Sequence, residues 1–143
     1  QPGTRLSLMS FSHVIDPYAW IEYFRASPEG QRAKHHVEGE GSATPTVVVA
    51  EVSRKLLREI EAGNETGRER TRRLEFIRTS SLIVDLTFDL AAQAGEIDVE
   101  MKRKVKGWGL ADSIVLATAR SAGAKVVTGD DHFRGLKDIV FIK

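Results

Sequence analysis

The chain of 143 residues contains no cysteine, and no apolar run approaches the ~18 residues that a membrane-spanning helix requires. The absence of cysteine excludes disulfides, thiolate nucleophiles and sulfur-ligated metal centres, so a bound metal ion must use oxygen or imidazole ligands. The amino-terminal stretch also lacks the apolar segment of a signal peptide. We therefore expect a cytoplasmic protein with no membrane segment.

Charge of one sign is not in excess either, since 21 basic residues are set against 20 acidic ones. Net charge therefore does not indicate nucleic-acid binding, and only the distribution of charge can do so. Apolar residues make up 41% and charged residues 29%, as is usual for one soluble domain of this length. We assign residues 9–143 to a single domain and interpret residues 1–8 as an extension or a cloning remnant.

Short apolar segments alternate with amphipathic ones along the chain. Strands are predicted at His13–Asp16, Leu82–Val84, Lys125–Thr128 and Ile139–Ile142. Helices are predicted between them, whereas residues 38–42 are predicted to form a loop and Thr44 with Pro45 to start the helix at 46–61. This alternation favours an α/β fold in which helices cover both faces of a parallel sheet.

Four acidic residues interrupt or directly follow apolar segments: Asp16, Glu51, Asp112 and Asp130. Taken singly, each has an ordinary explanation as a turn former, a helix cap or a partner of a helix dipole. Taken together, they would be buried without nearby basic residues, at a cost of several kcal/mol that a cation would offset. Their order along the chain therefore predicts one pocket for Mg²⁺ or Mn²⁺, the ions that prefer oxygen ligands.

Four motifs are spread over most of the length of the chain: Val14-Ile15-Asp16, Pro45 through Glu51-Val52, Gly109 through Ala119, and Val127-Thr128-Gly129-Asp130. In this order they resemble the PIN-domain family of metal-dependent ribonucleases, in particular the toxins of VapBC-type toxin–antitoxin pairs. The resemblance implies a three-layer α/β/α PIN-like fold whose central, mostly parallel sheet has about five strands. It also implies a homodimer.

The resemblance further implies that the four acids bind Mg²⁺ or Mn²⁺ and catalyse hydrolysis of RNA phosphodiester bonds, leaving a 5′-phosphate and a 3′-hydroxyl. Asp131 competes with Asp130 for the fourth ligand position, and Thr128 is implied to support the acids through its hydroxyl group. Pro17 stands where the family often has a small hydroxyl residue, which puts a contact from that position in doubt. A cognate antitoxin is the implied partner, lying across the acid pocket.

Two alternatives stay open at this point: a housekeeping RNA-processing nuclease of the same family, and a catalytically inactive PIN-like binding module. Basic residues for RNA are available in two clusters, Arg54, Lys55 and Arg58 in one and Lys102, Arg103, Lys104 and Lys106 in the other. A solvated helix face is the favoured interpretation of both clusters. No histidines have a zinc spacing. His132 follows the acid turn, where it could approach substrate, but a loop histidine without a role is the favoured interpretation.

Overall fold

A computed structural model describes residues 10–143, so the interpretation of residues 1–8 lies outside the described part of the chain. Five strands form one sheet: β1 (His13–Ile15), β2 (Ser42–Pro45), β3 (Leu82–Val84), β4 (Lys125–Thr128) and β5 (Ile139–Phe141). Their order across the sheet is β3-β2-β1-β4-β5, and all four pairings are parallel. The predicted parallel sheet of about five strands is confirmed.

Six α-helices connect the strands and cover both faces of the sheet, which confirms the three-layer α/β/α fold. They are α1 (Pro17–Arg25), α2 (Pro28–Val37), α3 (Thr46–Glu61), α4 (Gly67–Ser80), α5 (Phe88–Lys102) and α6 (Leu110–Ser121). A single 3₁₀ turn, Asp131–Phe133, follows β4. Within residues 10–143, none of these helices has the length and apolar character needed to cross a bilayer.

Strand β2 corrects the sequence prediction, which placed a loop at 38–42 and a helix start at Thr44 and Pro45. The structure instead pairs Ser42–Pro45 with both β1 and β3, and α3 begins only at Thr46. The segment lacks the large apolar residues that mark a buried strand. Its burial is supported by hydrogen bonds, since Ser81 Oγ lies 3.0 Å from Ser42 Oγ and 2.7 Å from Thr44 Oγ1.

The central strand β1 and its neighbour β4 explain why distant acids meet. Val14 and Ile15 of β1 and Val126 and Val127 of β4 are fully buried, and the two strands pair in parallel. Parallel strands end at the same edge of a sheet, so the residues that follow β1 and β4 lie close together. Helices α3 and α6 bring their amino-terminal turns to this carboxyl edge.

Candidate metal centre

The carboxyl edge of the sheet contains a pocket of about 70 Å³ that is lined by the four predicted acids, Asp16, Glu51, Asp112 and Asp130, together with Pro17, Tyr18, Val115 and Phe133. Two of the acids come from the ends of neighbouring strands and two from helices α3 and α6. The structure thus brings together the acids that the sequence analysis singled out.

Asp131, the competing fourth residue, does not line this pocket. Its carboxylate is exposed and accepts hydrogen bonds from Arg134 Nη2 at 2.9 Å and from Lys143 Nζ at 2.9 Å. These bonds, Lys143 first, lower the pKa of Asp131. The geometry therefore favours Asp130 over Asp131 as the acid of the pocket.

Asp16 is the most deeply buried of the acids, with 2% of its surface exposed. Its Oδ1 accepts a hydrogen bond from Ala19 N at 2.9 Å and so caps helix α1, while its Oδ2 accepts one from the hydroxyl of Thr128. Thr128 Oγ1 in turn accepts from Asp130 N at 2.9 Å. One threonine hydroxyl therefore ties the carboxylate after β1 to the turn after β4.

The acids perturb one another electrostatically. Burial is the main cause that raises the pKa of Asp16 to about 7, and the charges of Asp130 and Asp112 add to it. The hydrogen bonds that Asp16 accepts oppose this rise. Burial also raises the pKa of Glu51, again with a contribution from Asp112. A cation bound among these carboxylates would relieve this cost.

His132 is a residue whose place the sequence analysis missed. Its Nδ1 lies 3.0 Å from Asp112 Oδ2 and 3.7 Å from Asp130 Oδ1, and the same Asp112 oxygen accepts from Gly109 N at 3.1 Å. A carboxylate cannot donate a hydrogen bond, so the hydrogen lies on Nδ1 of the imidazole. The bond to Asp112 is the main cause that raises the pKa of His132.

Two local features place the ring of His132 beside the acids. Asp130 Oδ1 accepts from His132 N at 2.9 Å, which starts the 3₁₀ turn and directs the ring toward α6. Gly107 has φ of 84°, and a side chain there would place its Cβ 3.1 Å from His132 Nε2. The short spacing from Asp130 in a tight turn could have indicated the contact with Asp130, whereas nothing in the sequence indicates the contact with Asp112.

The donor set fits a hard divalent cation. One ligand atom from each of Asp112, Asp130 and His132 lies within 4.8 Å of the other two. Asp16 and Glu51 add carboxylate oxygens to the same pocket. Carboxylates dominate this set, which is the ligand chemistry of Mg²⁺ and Mn²⁺.

Residues 14–139 match the model of the PIN domain, and the chain therefore belongs to the PIN domain family. This match includes all four acids of the pocket. No curated protein matches the chain at a significant level.

Solved structures with the same fold come from several bacteria. The chain is 20% identical to a protein of a toxin–antitoxin complex from Klebsiella pneumoniae, with a TM-score of 0.70 over 92% of this chain and 98% of that one. It is 21% identical to VapC20 of Mycobacterium tuberculosis, a sarcin–ricin-loop cleaving toxin, with a TM-score of 0.69 over 89% and 96%. It is 14% identical to a chain of VapBC2 from Rickettsia felis, solved with a promoter DNA fragment, with a TM-score of 0.69 over 92% of this chain and 97% of that one.

Proposed function

We propose that this chain is a Mg²⁺- or Mn²⁺-dependent endoribonuclease and the toxin of a toxin–antitoxin pair. The observation that carries the proposal is the convergence of Asp16, Glu51, Asp112 and Asp130 in one small pocket. Membership of the PIN domain family supports nuclease activity. The structural neighbours include a toxin–antitoxin complex and a toxin that cleaves the sarcin–ricin loop, which supports the toxin assignment.

In this mechanism the four acids hold the metal, while Asp131 stays outside the site. A divalent ion bound by these acids would polarise a phosphoryl oxygen of the substrate and activate a water for hydrolysis of the phosphodiester bond. Thr128 and the amide of Ala19 fix the Asp16 carboxylate, and His132 fixes one oxygen of Asp112. Asp16 and Asp112 are therefore held in place before substrate arrives.

Glu51 is more exposed to solvent than Asp16. Its side chain is 30% exposed, and it lines both the acidic pocket and the wider cleft beside it. A partly exposed carboxylate where the two cavities meet suits the acceptance of a proton from an attacking water. We assign this role to Glu51 as part of the proposal.

The proposed partners are RNA, a cognate antitoxin and a second copy of the chain. A housekeeping RNA-processing nuclease is the enzyme alternative, and an antitoxin-like reading frame directly upstream of the gene would favour the toxin. The non-enzyme alternative is an inactive PIN-like module. Four acids in one pocket argue against that module. Their carboxylates repel one another, and a module that binds no metal would gain nothing from keeping them together.

The test is to map cleavage sites on total RNA with added Mg²⁺ or Mn²⁺, comparing the unmodified protein with Asp112→Asn. We expect discrete cleavage by the unmodified protein and none by the variant, since the substitution removes a charge and leaves the volume unchanged. Circular dichroism checks that the variant is folded. Undiminished metal-dependent cleavage by Asp112→Asn would contradict the assignment, and no binding of Mn²⁺ in calorimetry would favour the inactive module.

A further inference from the structure

Three consecutive residues between α5 and α6 lie against the candidate metal centre: Gly107, Trp108 and Gly109. The Nε2 atom of His132 lies close to Gly107, and Gly109 N donates a hydrogen bond to Asp112 Oδ2. Between the two glycines, Trp108 is only 3% exposed. Connecting segments usually run over the surface, so the burial of this indole requires a structural reason.

The nitrogen of the indole ties Trp108 to helix α6. Trp108 Nε1 donates a hydrogen bond to Ser113 Oγ at 2.7 Å, and Ser113 directly follows Asp112 in the first turn of α6. Ser113 is fully buried. A buried indole N–H without an acceptor is costly, so this bond fixes the position of the ring relative to the helix turn that carries Asp112.

Asp98 of α5 fixes the direction of this hydrogen bond. An indole nitrogen only donates and a carboxylate only accepts, so the Ser113 hydroxyl accepts from Trp108 and donates to Asp98 Oδ1, at 3.1 Å. The other oxygen of Asp98 accepts from Lys102 Nζ at 2.8 Å. The bonds from Lys102 and then from Ser113 lower the pKa of Asp98, so this acceptor is ionised at pH 7.

The ring of Trp108 packs on the 3₁₀ turn that follows Asp130. The centroid of the indole lies 5.1 Å from that of Phe133 and 6.4 Å from that of His132, within the range of favourable aromatic pairs. Phe133 is itself a wall of the acidic pocket. One buried side chain therefore joins the two chain segments that supply Asp112 and Asp130.

Trp20, the other tryptophan of the chain, has the same kind of bond in a different place. It is fully buried, and its Nε1 donates to Thr44 Oγ1 at 3.1 Å. Its ring packs on Phe24 and Phe76, at 5.5 Å and 6.2 Å between centroids. None of these residues lines the acidic pocket, so Trp20 provides a matched control for Trp108.

We propose that Trp108 and Ser113 are positioning residues of the metal site, which hold the first turn of α6 and the turn after β4 at the separation that a divalent ion requires. Neither side chain lines the acidic pocket, so both act through the segments that carry Asp112 and Asp130. Carboxylates that repel one another tend to separate, and a fixed support lowers the cost of bringing them around an ion. The inference rests on the proposed metal site and adds the residues that preorganise it.

The test measures the affinity for Mn²⁺ by calorimetry in the unmodified protein and in two variants. Trp108→Phe keeps an aromatic ring but loses the N–H, whereas Ser113→Ala keeps the indole but removes its acceptor. Each is expected to weaken Mn²⁺ binding about tenfold, the lower end of the range for residues that orient metal ligands. The double variant should bind no more weakly than either single one, because both substitutions remove the same hydrogen bond.

Trp20→Phe separates positioning from general stability. It also removes a buried indole hydrogen bond, so urea unfolding should show a loss of stability similar to that of Trp108→Phe. Its Mn²⁺ affinity should stay within about twofold of the unmodified protein, because distant sites act independently. Circular dichroism checks that each variant is folded, and Ser113→Ala decides the question if Trp108→Phe does not fold.

RNA cleavage gives a second readout. At limiting Mn²⁺, Trp108→Phe should cleave RNA about tenfold more slowly, in proportion to its weaker metal binding. Saturating Mn²⁺ should restore the rate, and the KM for RNA should not change. A variant that is merely unfolded in part would stay slow at every Mn²⁺ concentration.

Unchanged Mn²⁺ affinity in Trp108→Phe and Ser113→Ala would overturn the proposal, and so would an equal loss in Trp20→Phe. If the unmodified protein binds Mn²⁺ and cleaves RNA while both variants bind normally, only the positioning role fails. If both variants bind Mn²⁺ more weakly but the unmodified protein cleaves no RNA, the positioning role stands and the nuclease function fails. Absence of Mn²⁺ binding by the unmodified protein would overturn both.

Discussion

The two ends of strand β1 carry clusters of opposite chemistry. At the carboxyl end Asp16 joins three further acids around the pocket. At the amino end the ring of His13 lies 4.4 Å from that of His36, whose ring lies 3.8 Å from that of His35, measured between centroids. Both clusters crowd together groups that acquire charge of the same sign.

The two clusters resolve this crowding in different ways. Burial first, and then the neighbouring histidines and Lys125, lower the pKa of His36 to about 4, so its imidazole is neutral at pH 7 and needs no counter-ion. Burial first, and then the neighbouring acids, raise the pKa of Asp16 only to about 7, so negative charge remains at the acidic end at pH 7 and needs a counter-ion. A cluster of like groups therefore indicates a bound ion only where the groups are charged at working pH.

The largest expected effect concerns which acids belong to the charged end. Asp130→Asn should lower the rate of RNA cleavage on the order of a hundredfold or more, because it removes a negative charge from the proposed metal site. Asp131→Asn is the matched control and should stay within about twofold, because its carboxylate contacts only exposed cations. Cleavage rates and Mn²⁺ titration measure both; equal losses would place Asp131 in the site.

A second prediction concerns stability without metal. The folded-state pKa of Asp16, about 7, lies above its ordinary 3.8, so protonation stabilises the folded state at low pH. This stabilisation should be lost as pH rises from about 4 to about 7, by on the order of 4 kcal/mol at most.

Urea unfolding in EDTA measures this loss, and the difference between the unmodified protein and Asp16→Asn isolates it from other titrating groups. Added Mn²⁺ at pH 8 should restore stability to the unmodified protein. A difference between the two proteins that does not change with pH would contradict the prediction.

The smallest effect is expected at the amino end and has the opposite sign. The folded-state pKa of His36 lies below its ordinary 6.5, so the stability associated with the neutral ring is present above pH 6.5 and lost as pH falls toward 4. His36→Gln should reduce this loss, by about 1 kcal/mol or less because the ring is partly exposed. Mn²⁺ should not alter the effect. If the difference between the unmodified protein and His36→Gln changed with Mn²⁺, the contrast between an acidic end that needs an ion and a histidine end that does not would be wrong.

The sequence predicts the acidic end better than it predicts what surrounds it. Asp16 and Asp130 follow buried apolar strands, and the parallel pairing of β1 and β4 then brings them to one edge. The choice between Asp130 and Asp131 could not be made from sequence, because both lie in one tight turn. That choice depends on the hydrogen bond that Thr128 Oγ1 accepts from Asp130 N and on the cations that hold Asp131.

Strand β2 and His132 were missed for a related reason. Ser42–Pro45 is buried through side-chain hydrogen bonds rather than through large apolar residues, and such bonds leave no periodic pattern. His132 acquires its contacts from Asp112, which is 20 positions away in the chain. Both depend on contacts between segments that only the folded chain brings together.

The hydroxyl bond between Thr128 and Asp16 joins residues that are 112 positions apart. An emerging polypeptide thus reaches the ribosome exit with Asp16, Glu51 and Asp112 already made but with no β4 to bring the last acid beside them. The pocket can assemble only when β4 is added alongside β1, since contacts between distant segments form late. Chains that end before β4 are for this reason expected to bind no Mn²⁺ at this edge of the sheet.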